Sequence, residues 1–567
     1  MLHGGAECDI PATSPWASHK RPSNAPNCVT LSDNTPPCSA PSSPMPESSL
    51  GCNDFADIFF KAYKPFRNYV RRLALEDSLL AIWAYSSYLA GDLKLPSYLL
   101  GAEPNGQPFD LRRYIYQWEL TLLAREVLLH ASMRGDVTLR TRKVLARVMN
   151  SIKDLSSFDP ELDKIDQLLL HMHRLAHQQF PVQRGTQMGD LMRYKLIFEH
   201  ASVKDLFEAE MGLSASKFYF LGWAVAGALK SRPGYNTSTD FSAFGISGDE
   251  RDKFYSRLVG SLELIRTRIL EKQRFGSSWA FTINPLENTP LVRIDPAPSR
   301  RVFGPIPALV LSRITSGVYY DLVSKKGFGD GFGPAFDDYI GLVMRKCFGA
   351  GWDIYDPEPF RVGKDLHHGT DWILSDATAN IFIECKAARI KADARSAETP
   401  AEIEATVDQL AKMIVQNYVN ISHAMAGRTA WVANTRPTYN LVVTLEDFLP
   451  FGGAVTTRVQ ERVFARLHVQ NLGEALVQQI PYFVVSSAEF EGICTALRNA
   501  SAQQLFSEKS NPHYSDWLFS SFLHTKYRTA WSESRQLLKE EFAEWREQVD
   551  HMSRAVRDGR ASAVPSP

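Results

Sequence analysis

From Phe55 to about Ser278, apolar residues recur every three or four positions, as in FADIFFKAYKPFRNYVRRLAL, EDSLLAIWAYSSYLAG, RRYIYQWELTLLAREVLLHASM, LRTRKVLARVMNSI and DKIDQLLLHMHRLAHQQF. Helices with one apolar stripe bury it against each other, so the pattern predicts an all-α domain over 53–278. Periodic aromatics such as Trp83, Tyr85, Tyr88, Tyr114, Tyr116 and Trp118 are expected in its core rather than as a platform for stacked bases. The pattern changes after about residue 334. PAFDDYIGLVMRKCF keeps helical spacing through Phe336, Ile340, Val343, Met344 and Cys347 until Gly349 and Gly351 stop it. A short WDIY strand, a polar loop ending in DLHHG, and two period-two runs around the turn-prone DATAN follow. Ile403, Val407, Leu410, Ile414 and Tyr418 then form the stripe of another helix. Strands LVVTL and PYFVVSS close the series, separated by the helical TTRVQERVFARLHVQNLGEALVQQI. The order from 334 to 505 is helix, three strands, helix, strand.

The remaining segments frame these two regions. Residues 1–52 are rich in Pro, Ser, Asn and Thr and cannot bury enough apolar area to offset backbone entropy, so they are expected to be disordered. Residues 279–333 are rich in Pro and Gly and read as a linker carrying one helix, ALVLSRITSGVYYDLVSKK. GFGDGFG lacks the Lys-Ser/Thr of a phosphate loop and reads as a flexible entry to the next helix. Residues 506–567 end in an amphipathic helix with Leu538, Phe542, Trp545 and Val549 along one side. That stripe is expected to pack on the chain itself; a homodimer or a partner protein, held through it or the helical domain, is the alternative.

Charge narrows the function classes. Lys plus Arg equals Asp plus Glu at 63 each, so no global field draws the chain to nucleic acid and any such contact must come from a local patch. Arg140, Arg142, Lys143 and Arg147 form one basic cluster, Arg300 and Arg301 another, and each pattern is more often just a solvated face. VKDLFEAEMGLSASKFYFLGWAVAGAL has the outline of a helix-turn-helix. Its second helix offers bases almost no hydrogen-bonding groups, which favours a buried hairpin. The seven cysteines include no CxxC pair, which argues against structural zinc. No apolar run reaches bilayer length and the start lacks a secretory pattern, so a reducing cytoplasmic location without membrane contact is expected.

The segment GTDWILSDATANIFIECKAARI carries the chemistry. It sets Asp371 at the head of one strand, and Glu384 and Lys386 on one face of the next, shared with Phe382, while Ile381, Ile383 and Cys385 take the other. Two carboxylates and an ammonium converging at one end of a hairpin suit a hard divalent cation, Mg²⁺ or Mn²⁺, and a phosphodiester substrate. ECK is the only Glu-x-Lys in the chain.

This segment resembles the PD-(D/E)xK superfamily, the restriction-endonuclease-like nucleases. The resemblance implies an αβββαβ restriction-endonuclease-like domain, which after the all-α N-terminal domain makes an α+β multidomain chain. It also implies an endonuclease that hydrolyses DNA, less often RNA. By the same resemblance Asp371 and Glu384 are metal ligands, the Cys385 carbonyl is a third, and Lys386 activates the attacking water. Phe336-Asp337-Asp338-Tyr339 matches the family's Phe-Glu-x-Tyr, which makes Asp337 a further acidic group. The proline of the family's name is replaced by Thr370. Family members often place a Gln or Lys on the following helix toward the site, and here Gln409, Lys412 and Gln416 are the candidates, Gln416 being the one assigned. A prokaryotic defence effector is the biological setting suggested by analogy. The alternatives are a catalytically silent nuclease-like scaffold and an enzyme that cuts only when a partner triggers it.

Overall fold

The two period-two runs pair across the DATAN turn, and their register positions the rest. The computed structural model describes residues 52–562, without 97, 102–108, 158–164, 296–298, 391–394, 396, 398 and 449–452. The segment 1–52 expected to be disordered therefore lies, but for Cys52, outside the described residues. In chain order the described strands are β1 (Gly234–Asn236), β2 (Val259–Ser261), β3 (Leu291–Arg293), β4 (Arg301–Phe303), β5 (Asp353–Tyr355), β6 (Phe360–Val362), β7 (Asp365–His367), β8 (Trp372–Ser375), β9 (Asn380–Lys386), β10 (Thr438–Thr444) and β11 (Tyr482–Ser486).

The central sheet has five strands in the order β11-β10-β9-β8-β5. β8 and β9 are antiparallel with Trp372 opposite Ile383 and Ser375 opposite Asn380, while β9, β10 and β11 run parallel. The turn is closed by Asp376, whose Oδ1 accepts hydrogen bonds from Thr378 N at 2.7 Å and Ala379 N at 2.8 Å, an Asx turn of the kind that Asp-x-Thr favours. One sheet face buries Trp372, Leu374, Ile381, Ile383, Leu441 and Val443 against Phe336, Ile340 and Val343 of the helix Phe328–Cys347 and against Phe490 of the helix Ser487–Ala496. The other buries Ile373, Phe382 and Val442 against the helices Pro400–Met425 and Gly453–Val469. All five residues of the expected stripe, Ile403 to Tyr418, are buried there, at about 1.5–3 kcal/mol for each large apolar side chain. Helix, β5, β8, β9, helix and β10 thus follow in the expected order, with the β6–β7 hairpin inserted between β5 and β8.

The N-terminal region is helical from Cys52–Val70 through Leu75–Ala90, Gln117–His130, Arg142–Ser156 and Ile165–Arg184, but it is not all-α as expected, since β1 and β2 lie within it. The expected boundary at 278 is not a break in packing, because one apolar core runs from Leu191 to Val549. Phe198 of the helical region and Phe332 of the next sit with ring centroids 5.3 Å apart. The expected linker 279–333 holds more structure than its Pro and Gly content suggested: β3 and β4 join β1 and β2 in a second sheet, ordered β1-β4-β3-β2. GFGDGFG is also not a flexible entry, since it forms the first turns of Phe328–Cys347 with Phe328 and Phe332 buried.

FYFLGWAVAGAL lies in the buried helix Ala215–Ser231, as its composition predicts. The basic clusters are engaged locally: Arg140 pairs with Asp77, Arg147 lies 4.1 Å from the Tyr69 ring centre, and Arg301 pairs with Glu76. Trp83 and Tyr85 are buried, but Tyr114 and Tyr116 are about half exposed, so the expected aromatic core holds for only part of that set. In the C-terminal helix Lys539–Ser562 the apolar stripe is covered from within the chain, with Trp545 centred 5.7 Å from Trp223. That contact removes the stripe as a dimer surface. Among the described residues, no helix is long and apolar enough to cross a membrane.

Candidate functional site

Extending the β8–β9 register by one pair sets Asp371 opposite Glu384 at the end of the sheet. Thr370, in the position of the absent proline, fixes this end by donating its hydroxyl to the Ile383 carbonyl at 2.7 Å. Asp371 Oδ2 accepts the Cys385 N–H at 2.6 Å, so the acid closes the ladder where β8 stops. Asp337 comes from the helix on the apolar-core side, and Trp372 Nε1 donates to its Oδ1 at 2.5 Å. A ligand atom from each of Asp337, Asp371 and Cys385 lies within 4.8 Å of the other two.

Glu384 and Lys386 lie on the face of β9 opposite Cys385, with Asp371 as their neighbour across the strands. Their side chains pair at 2.6 Å, and Asn420 of Pro400–Met425 donates to the second Glu384 oxygen at 3.2 Å. Glu384 is 2% exposed, so both oxygens take protein partners in place of water. Asn417, one turn earlier, ties the same helix to the sheet through the Phe382 carbonyl at 3.0 Å and Asn440 Oδ1 at 2.8 Å.

Electrostatics follow from crowding acids in a desolvated place. Burial, then the neighbouring Glu384 and Asp337, push the Asp371 carboxyl up to about 8. Burial also raises Glu384, against the pull of Lys386, and raises Asp337, against the Trp372 hydrogen bond. The Cys385 thiol is held well above its ordinary value by burial and by Asp371, which keeps it neutral.

A neutral thiol is a poor partner for a hard cation, whereas carboxylate oxygens suit it. The peptide carbonyl of Cys385 is the better donor. Lys386 O accepts from Leu445 N at 3.2 Å on the β10 side, and successive carbonyls alternate along a strand, so that of Cys385 turns toward Asp371. The donor set around Asp337 and Asp371 therefore fits Mg²⁺ or Mn²⁺: oxygen atoms from two elements, held where their own charges repel.

The structure bears on the sequence-based assignment at three points. Asp337, despite its shorter side chain, reaches Asp371. Glu384 turns its carboxylate to Lys386 and Asn420 and is not in the Asp337–Asp371–Cys385 group, because alternate residues of β9 face opposite sides. Gln409, Lys412 and Gln416 are all exposed, and Asn420 on the same helix contacts Glu384. The signal for Asn420 was available: Asn417 and Asn420, three apart, interrupt an otherwise apolar inner face. The indole N–H of Trp372 gave no sign in the sequence of binding Asp337. Comparison with protein-family models, curated proteins and solved structures gives no match to this chain.

Proposed function

We propose that this chain is a metal-dependent endonuclease of the PD-(D/E)xK kind, hydrolysing phosphodiester bonds of DNA ahead of RNA. The observation that carries this reading is the meeting of Asp337, Asp371 and the Glu384–Lys386 pair at one end of a mixed sheet. Asp337, Asp371 and the Cys385 carbonyl would hold Mg²⁺ or Mn²⁺, which supplies charge neutralisation at the phosphate and a more acidic water.

The chain's own groups account for the rest of the chemistry. Lys386, partly exposed beside the acids, hydrogen-bonds the attacking water or a non-bridging phosphate oxygen and offsets charge developing there. Glu384 anchors the lysine ammonium, and Asn420 anchors Glu384, so the cation is held in place before substrate arrives. A role in prokaryotic defence belongs to the same proposal and rests on analogy alone.

Incubating the purified protein with plasmid, linear DNA and RNA, each with Mg²⁺, Mn²⁺ or chelator, tests the reading. Cleavage is expected with metal and is lost with chelator and in Asp371→Ala, Glu384→Ala and Lys386→Ala. Wild type and variants behaving alike on every substrate would overturn it.

A second reading, a catalytically silent scaffold, draws on the internal partners of the charged groups, Lys386 on Glu384 and Trp372 on Asp337. Calorimetry with Mn²⁺ separates it from an enzyme awaiting a trigger. A competent site gives binding heat that Asp371→Ala removes; a scaffold gives none.

A further inference from the structure

Cys347, Cys385 and Cys494 are free cysteines, and Cys347 and Cys494 meet. Cys347 is the last residue of the helix Phe328–Cys347, and Cys494 lies in Ser487–Ala496, which packs against it over the same sheet face. The two thiols lie close enough for each to shift the other's ionisation. Arg498, four residues past Cys494, donates Nη2 to Cys347 Sγ at 3.6 Å and to the Lys346 carbonyl at 3.2 Å. Cys494 is fully buried, whereas Cys347 is partly exposed.

This asymmetry is that of an attacking and a resolving thiol. A guanidinium beside a sulfur favours its thiolate, the form that reacts with oxidants, and partial exposure admits a small one. The neighbouring Cys494 thiol and the Arg498 charge lower the Cys347 thiol against the opposing effect of burial. Burial raises that of Cys494. Neither residue touches the Asp371 site, and nothing in the proposed hydrolysis uses them.

We infer that Cys347 and Cys494 form a peroxide-oxidisable pair that closes a disulfide between the ends of these two helices. The Cys347 thiolate attacks one peroxide oxygen; the O–O bond breaks, hydroxide leaves and takes up a proton as water, and Cys347 becomes a sulfenic acid. The Cys494 sulfur, giving up its proton, attacks the Cys347 sulfur. The S–S bond forms, the S–O bond breaks and a second water leaves. Each sulfur is oxidised by one electron, the peroxide is reduced to two waters, and a dithiol reductant reverses the change. The bond would tie the helix bearing Asp337 to its neighbour, and it stands whether or not the nuclease reading does.

The test uses the full chain treated with hydrogen peroxide, then alkylated and mapped by mass spectrometry without reduction. The expected product is a cross-linked pair of peptides containing Cys347 and Cys494, lighter by two hydrogens than the separate peptides and released by dithiothreitol. In Cys494→Ala, folding being checked by circular dichroism, oxidation should stop at a Cys347 sulfenic acid that dimedone traps. Arg498→Gln should slow alkylation of Cys347 without preventing the cross-link. If wild-type protein keeps both thiols alkylatable, carries Cys347 on to sulfinic acid, or pairs it with another cysteine, the inference is wrong. Should Cys494→Ala not fold, the wild-type map alone decides.

Discussion

Trp372 donates its indole N–H to Asp337 Oδ1 at 2.5 Å, and its ring packs so tightly under the helix bearing Asp337 that a Cβ at Gly341 would lie 2.7 Å from Trp372 Cζ2. The residue next to Asp371 in sequence therefore sets both the height of the helix over the sheet and the direction of its acid. Arg345, centred 5.5 Å from the same ring, covers the other end of the contact.

Trp372→Phe keeps most of the ring and removes the donor. Asp337 then loses a hydrogen bond that favours its ionised form, and a half-buried carboxylate left without it costs about 1–3 kcal/mol. The expected outcome is a lower urea midpoint together with weaker Mn²⁺ binding by calorimetry. A variant that binds Mn²⁺ as tightly as wild type would show that Asp337 is not a ligand.

Asn420 and Gln416 lie one turn apart on the same helix and make opposite predictions. Asn420→Ala deprives a buried Glu384 oxygen of its donor, so the Glu384–Lys386 pair loosens and cleavage should fall by about tenfold or more, chiefly in kcat. Gln416→Ala removes an exposed side chain and should leave cleavage within about twofold of wild type. Single-turnover rates on a saturating DNA substrate decide between them, and a larger loss in Gln416→Ala reverses the assignment.

Much of the sheet end was legible because it is local. Period-two alternation in IFIECKA puts Glu384 and Lys386 on one face and Cys385 on the other, and the turn chemistry of Asp376 fixes the register in which Asp371 faces Glu384. The stripe from Ile403 to Tyr418 was equally plain, since no competing period runs through it. The second sheet was not legible. Its strands are three residues each and pair positions up to 69 residues apart, too short for any period to register. The Asp337–Asp371 approach likewise depends on how a helix sits on a sheet, which Gly341 permits and Trp372 dictates.

Gly331 shows how packing overrode composition in the GFGDGFG segment. Glycine disfavours helix by about 1 kcal/mol relative to alanine, yet this stretch is helical. The backbone of Ser202 approaches so closely that a Cβ on Gly331 would lie 2.3 Å from the Ser202 carbonyl oxygen, while the Ser202 hydroxyl donates to the Gly331 carbonyl at 2.6 Å. Gly331→Ala should therefore destabilise the protein by about 2–4 kcal/mol despite better helix propensity. Gly329→Ala, where a Cβ meets nothing within 4 Å, should be neutral or slightly stabilising. Thermal melts of the two variants check the contrast, and equal shifts would mean that the approach to Ser202 is looser than described.

Glu446 joins the helical and sheet regions and gives the protein an acid-sensitive joint. Its carboxylate accepts hydrogen bonds from Tyr194 at 2.6 Å and Arg395 at 2.7 Å, and it pairs with Arg389, whose side chain is fully buried. Burial opposes ionisation here, but Arg389, Arg395 and the Tyr194 hydroxyl together hold the carboxyl down to about 2. A carboxyl depressed in the folded state contributes stability above its unfolded value, about 4.3, and that contribution is lost as pH falls toward 2. The urea midpoint should thus drop between pH 5 and pH 2, with Glu446 contributing on the order of 2 kcal/mol at neutral pH. In Glu446→Gln the midpoint should be lower at pH 7 and the acid dependence shallower. Asp371, pushed the opposite way to about 8, adds a dependence of opposite sign above the ordinary carboxylate range, and it cancels in the difference between wild type and variant. If that difference stays constant from pH 7 to pH 2, Glu446 is not held ionised by its arginines, and the junction draws its strength from apolar packing alone.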